Sequence, residues 1–191
     1  MKTICASLVL ILFLAGAGFG QTIDLGQSVF FSQEEDIIVA IDAALAVRKI
    51  DSPYIMFVAY FLARGYASLS IHRDGVFMIY NGQEYKMPTL EVWRKEYMAA
   101  QNDMTIYNTL GKEALANSEL RNYSFPGTYD FFPVLGRGQR QTDEGSLAGT
   151  IGFRTKLYFK NPGFKKGDEL VIIVTDRKNP EIKGTCGVLL K

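Results

Sequence analysis

The sequence predicts a mainly β protein: a single-domain, immunoglobulin-like β-sandwich over residues 21–191 with one or two inserted helices, and an α+β fold as the alternative. Three observations carry this expectation. Asp74-Gly75 and Asn81-Gly82 each interrupt extended runs in Leu69–Met87, and such pairs favour two-residue hairpin turns. Tyr54–Ala63 (YIMFVAYFLA) is aromatic and β-branched throughout. The last third returns twice to strand patterning, at Phe153–Phe159 and Leu170–Thr175.

Residues 1–20 read as a signal peptide. Lys2 gives the positive start, Ile4–Leu14 the apolar stretch, and Ala15, Gly16, Ala17, Gly18 and Gly20 the small residues before cleavage. The expected location is therefore exported, periplasmic or extracellular after cleavage near Gly20, with no transmembrane segment in the mature chain, because no later run reaches the ~20 apolar residues a span requires. Lys2 is the only charged residue of that leader, so the 21 basic and 20 acidic residues become balanced beyond it. A net charge of zero gives no general attraction to nucleic acid. Cys186 is the only cysteine after residue 20, which leaves no intramolecular disulfide in the mature chain.

Taken in order, Ser28–Phe31 reads as a short edge strand. Asp36–Ile50 is two-sided: Ile37, Val39, Ile41, Ala43, Leu45 and Val47 alternate as in a strand, while Ser32 with Glu35 would cap a helix. A strand is favoured, because the turn at Asp51-Ser52-Pro53 and the run Tyr54–Ala63 would then make a long antiparallel pair.

Two hairpins in Leu69–Met87 give a meander in which Ser70, His72, Phe77, Ile79, Glu84 and Lys86 share one face and Leu69, Ile71, Val76, Met78, Tyr80, Tyr85 and Met87 the other. The second set is the core face. In the first, the apolar pair Phe77 and Ile79 needs a cover, and the Trp93 helix is the nearest candidate. That helix begins at Thr89, a good N-cap, with Leu90, Trp93 and Tyr97 at helical spacing.

A second helical piece, broken near Gly111, is expected over Met104–Leu120. The aromatic passage YSFPGTYDFFPVL and the polar loop Gly136–Gly145 follow. In the strand Phe153–Phe159, Arg154, Lys156 and Lys160 make a wet stripe. Leu170–Thr175, apolar at every position up to the threonine, reads as a central strand buried on both faces, and Cys186–Leu190 closes the fold.

No catalytic constellation emerges. Val39-Ala40-Ile41-Asp42, His72-Arg73-Asp74 and Asp130-Phe131-Phe132 echo protein-kinase signatures but lack the phosphate-gripping lysine, the metal-holding asparagine and the final glycine. A single histidine and a distant cysteine do not make a zinc site. Ser70 and His72 share a strand face, yet a nucleophile–base couple also needs an orienting group and an oxyanion site. Cys186 reads as a packed hydrophobe. Asn122-Tyr123-Ser124 fits the N-glycosylation acceptor pattern.

The closing segment GDELVIIVTDRKNPEIKGTCGVLL is similar in pattern to the last strands of C2 domains and of many immunoglobulin-like sandwiches, although only Asp176 stands where C2-type calcium loops carry several aspartates. The expected function is a non-enzymatic exported binding or structural domain, whose partner is a protein, a glycan or a small apolar ligand. The alternatives are a hydrolase-like enzyme using carboxylates and a calcium-dependent surface module. No cofactor is implied. The candidate binding residues are His72, Phe77, Ile79, Tyr123, Tyr129, Phe131, Arg137 and Arg140: two meander positions with their neighbouring histidine, three rings that act as plug or platform, and two arginines of the polar loop.

Overall fold

A computed structural model describes residues 21–65, 68–116, 118–126, 129–133 and 140–191. The proposed leader and Arg137 lie outside that set, as do residues 136–139 of the polar loop. The strands among the described residues are β1 (Ile23–Gly26), β2 (Val29–Ser32), β3 (Ile37–Asp42), β4 (Tyr54–Ala63), β5 (Leu69–His72), β6 (Val76–Tyr80), β7 (Gln83–Lys86), β8 (Tyr129–Asp130), β9 (Arg140–Gln141), β10 (Glu144–Leu147), β11 (Phe153–Lys160), β12 (Glu169–Thr175) and β13 (Lys183–Leu189). The helices are α1 (Ala44–Arg48), α2 (Leu90–Glu96), α3 (Ala100–Tyr107) and α4 (Glu113–Ala116). The fold is mainly β. No described helix is long and apolar enough to cross a membrane.

Two antiparallel sheets dominate. The first has five strands in the order β1-β2-β3-β4-β11, the second four in the order β13-β12-β6-β7. All ten residues of β4 and all six of β3 are buried, so the five-stranded sheet is covered on both faces. On one face Ile55, Phe57, Phe61, Phe153, Leu157 and Phe159 line up by register and meet the four-stranded sheet. The contact is closest at β13, where a Cβ on Gly184 would lie 2.1 Å from the Ile37 carbonyl oxygen. On the other face the helices are seated: the Tyr107 hydroxyl of α3 donates to Asp42 Oδ2 (2.9 Å), and Trp93 of α2 packs its ring 4.9 Å from that of Tyr158. The layers therefore run helices, five-stranded sheet, four-stranded sheet.

Local chemistry explains much of this. Asn81 and Gly82 both take positive φ (50° and 74°), and the hairpin between β6 and β7 has the expected register, Phe77 opposite Lys86 through Tyr80 opposite Gln83. Thr89 Oγ1 caps α2 by accepting from the Val92 N–H (3.2 Å). Asp42 Oδ1 accepts from the Ala44 N–H (3.0 Å), so the segment with two readings resolves into both, strand β3 followed by the short α1. Asn161 Oδ1 accepts from Gly163 and Phe164 N–H groups and closes the predicted turn after β11.

Four expectations are corrected. Asp74-Gly75 is not a hairpin turn: Arg73–Gly75 form a 3₁₀ turn, β5 pairs with β10, and β6 pairs with β12. Gly75 keeps negative φ there; its missing Cβ instead admits Thr175, whose Oγ1 would lie 2.8 Å from that atom. The stripe on β11 is not wholly wet, since Lys156 is buried against Asp130. Strand β12 is not buried on both faces: Leu170, Ile172 and Val174 are buried, whereas Val171, Ile173 and Thr175 between them are half-exposed. The Trp93 helix does not cover Phe77 and Ile79. Trp93 is buried against Phe132 and Tyr158, on the opposite side of the five-stranded sheet from β6.

Candidate functional site: the outer face of the four-stranded sheet

Register assembles the site. Cross-strand partners point the same way, so Ile79 with Val171 and Phe77 with Ile173 form a block of four apolar side chains in the middle of the outer face, and Leu189 on β13 lies diagonal to Val171. All five are half-buried. Their alternate neighbours Val76, Met78, Ile172 and Val174 are fully enclosed against the five-stranded sheet. The rim is charged: Glu84 and Lys86 (3.7 Å apart) on β7, Glu169 at the start of β12, and Lys183 on β13.

At the Thr175 end of this stripe stands a polar cluster. The Asp176 carboxylate accepts from the N–H groups of Ser70 (2.8 Å), Lys178 (3.0 Å) and Asn179 (2.9 Å), and the Arg177 N–H donates to the Ser70 carbonyl (2.7 Å). These bonds fasten β5 beside the end of β12. Glu144, directly across from His72 on β10, takes a hydrogen bond from the Ser70 hydroxyl and an ion pair from Arg177. The Ser70 hydroxyl bond, with the Arg177 charge and hydrogen bond, holds the Glu144 carboxyl below its ordinary value against an opposing cost of burial. A catalytic serine–histidine couple is not assembled. Ser70 spends its proton on Glu144, and His72 Nδ1 accepts from the Asp74 N–H (3.3 Å).

Of the residues singled out in the sequence, Phe77 and Ile79 lie together on this face and His72 stands on β5 beside the polar cluster, unpaired with Phe77 because β5 and β6 are not neighbours. Phe131 is corrected: it is fully buried, 5.9 Å from the ring of Phe153, and acts as a plug. Tyr123 is half-buried against the core. Tyr129 and Arg140 are brought together only as backbone, opposite one another in the parallel pair β8–β9. No family model, curated protein or solved structure matches this chain. Its function must be argued from its own geometry.

A second polar cluster, around Asp103, is closed. Asp103 on α3, 1% exposed, accepts from the hydroxyls of Tyr97 (2.7 Å) and Tyr158 (3.2 Å) and pairs with Lys49. Burial works against the Lys49 ammonium, but Asp103 and Tyr97 outweigh it and hold its pKa above the ordinary value. Burial raises Tyr97 and Tyr158 as well. The dimple over this cluster, between Leu45, Tyr54 and Tyr97, has no interior room even for a water molecule. Among the described residues no three His, Cys, Asp or Glu side chains converge as a metal-holding group.

The residues that sequence reasoning missed are Val171 and Ile173. Their alternation with buried neighbours is present in LVIIVT, but nothing local marks which of its two faces stays partly exposed.

Proposed function

We propose that the chain is an exported, non-enzymatic binding module that engages its partner through the outer face of the four-stranded sheet. The observation that carries this reading is the contiguous block Phe77, Ile79, Val171 and Ile173, half-buried apolar side chains on one sheet face beside the buried Thr185 of β13. A flat apolar centre with a charged rim resembles the anatomy of protein-binding surfaces more than that of a small-ligand pocket, which is concave. Export is supported by the pattern of residues 1–20, and an immunoglobulin-like sandwich by the two facing antiparallel sheets. The carboxylates that would serve a hydrolase, Asp42, Asp103, Asp130 and Glu144, are each engaged by hydroxyl, amide or ammonium partners.

The test uses 8-anilinonaphthalene-1-sulfonate as the probe. The folded wild type is expected to enhance its fluorescence, and Phe77→Thr with Ile173→Thr to abolish most of that signal at a stability cost of about 1 kcal/mol per site, as for partly exposed positions. No enhancement by the native protein, or a cost of about 3 kcal/mol or more per site as in a packed core, would overturn the reading.

A further inference from the structure

The pair Asp130–Lys156 plays no part in the site above. Lys156 extends from β11 on the helix-facing side, next to Tyr158 and across from Val58, and Asp130 ends β8. Both side chains are more than nine-tenths buried, at 5% and 7% exposure, with Nζ 2.6 Å from Oδ2. That contact lacks hydrogen-bond geometry, and Nζ has no hydrogen-bond partner among the described residues. The other carboxylate oxygen is occupied: Oδ1 accepts from the Phe132 N–H (3.0 Å). Phe131, Phe132 and Tyr158, which neighbour the pair in sequence, are fully buried. An ammonium with unmet donors in such a place is costly as an ion, since desolvation of a buried pair is repaid only by good geometry and full hydrogen bonding.

We propose that Lys156 and Asp130 are joined by a side-chain amide, a covalent cross-link between β11 and β8. Proton transfer from the ammonium to Oδ2 across the 2.6 Å contact gives an amine and a carboxylic acid. The nitrogen lone pair then forms a bond to Cγ. Oδ1, already held by the Phe132 N–H, carries the negative charge of the tetrahedral adduct, as an oxyanion held by a preorganised donor does. Collapse breaks the Cγ–Oδ2 bond, and Oδ2 leaves as water with the proton it first received and a second one lost by nitrogen. No oxidant or other reagent is consumed. Fixing the two groups in contact supplies an effective concentration of about 10⁵ M or more, which removes the usual entropic barrier to such a condensation. The product replaces two buried charges by one neutral amide. It also ties down segment 131–155 in a region where no disulfide is available, Cys186 being the one cysteine after residue 20 and itself buried.

The test is a tryptic peptide map of the full-length protein, denatured before digestion. The expected result is a branched peptide joining the Asp130 segment to the Lys156 segment, lighter than its two parts by one water (~18 Da), with no cleavage after Lys156. Lys156→Arg should abolish the branched peptide and return the Asp130 peptide as a linear species. Linear Asp130 and Lys156 peptides in the wild type, with cleavage after Lys156, would overturn the proposal and leave an ion pair only. Loss of water confined to an unbranched Asp130 peptide would overturn it equally. The wild-type map decides the matter even if the arginine variant fails to fold.

Discussion

Asp103→Ala is expected to destabilise the fold by about 3–5 kcal/mol, the cost of removing one partner from a buried charge pair, which in a domain of this size lowers Tm by on the order of 10 °C. The carboxylate is the shared acceptor of Tyr97, Tyr158 and Lys49, all drawn from different elements: the end of α2, β11 and the end of α1. Removing it leaves two buried hydroxyls and a largely buried ammonium without their common acceptor. Ser52 Oγ, 3.2 Å from the Tyr97 hydroxyl, can take over only one of them. Tyr97→Phe removes one donor to Asp103 and an acceptor of the Lys49 ammonium (3.1 Å) and should cost about 1–2 kcal/mol, so the two variants separate the shared carboxylate from one of its hydroxyl partners. Urea unfolding measures both. A loss under 1 kcal/mol for Asp103→Ala would mean that the network does not hold the helices to the five-stranded sheet.

The second large effect is expected at Gly184→Ala, about 3 kcal/mol or more. The added Cβ would meet the Ile37 carbonyl oxygen at 2.1 Å and Val39 Cγ2 at 2.8 Å. A backbone carbonyl inside a sheet cannot turn away, so β13 must retreat from β3 and the contact between the two sheets loosens. Replacing glycine by alanine in a strand otherwise gains stability by reducing the freedom of the unfolded chain, which makes the sign of the effect informative. Gly187 on the same strand is the control. There the nearest atom to a new Cβ is Thr22 Oγ1 at 3.4 Å, and Gly187→Ala should change stability by less than about 1 kcal/mol. Equal urea midpoints for the two variants would contradict the close approach of the sheets.

What was legible in the sequence is what local chemistry determines. The span of β4, the Asn81-Gly82 hairpin with its register, and the Thr89 cap all follow from residues within a few positions of one another. What was not legible depends on partners distant in the chain. Asp74-Gly75 carries the residues of a hairpin turn, but Asp176 and Arg177 bind the backbone of Ser70 and β10 supplies the pairing edge, so the chain turns out of the sheet instead. Lys156 reads as a wet position because its counter-ion lies in an irregular passage ahead of β11. LVIIVT reads as doubly buried because apolar residues on an open face and on a core face look alike in sequence. The candidate site shows the same division: Phe77 and Ile79 follow from strand alternation, whereas Val171 and Ile173 join them only through the long-range pairing of β6 with β12. Phe131 was kept among the candidate binding residues because a ring near a turn can serve as a platform, although the plug was the favoured reading; its burial against Phe153 agrees with the plug.

The central claim is that β12 presents Ile173 to solvent while its neighbour Ile172 is sealed between the sheets. Thiol labelling reads this directly, because the native Cys186 is fully buried and burial pushes its pKa up, which leaves it unreactive in the folded protein. In a Cys5→Ser background, Ile173→Cys should react with a maleimide in the native state far faster than Ile172→Cys, and within about tenfold of the denatured protein, since partial exposure slows but does not block attack. Protection of Ile173→Cys as complete as that of Cys186 would show the outer face to be covered and would contradict its proposed role as the binding surface.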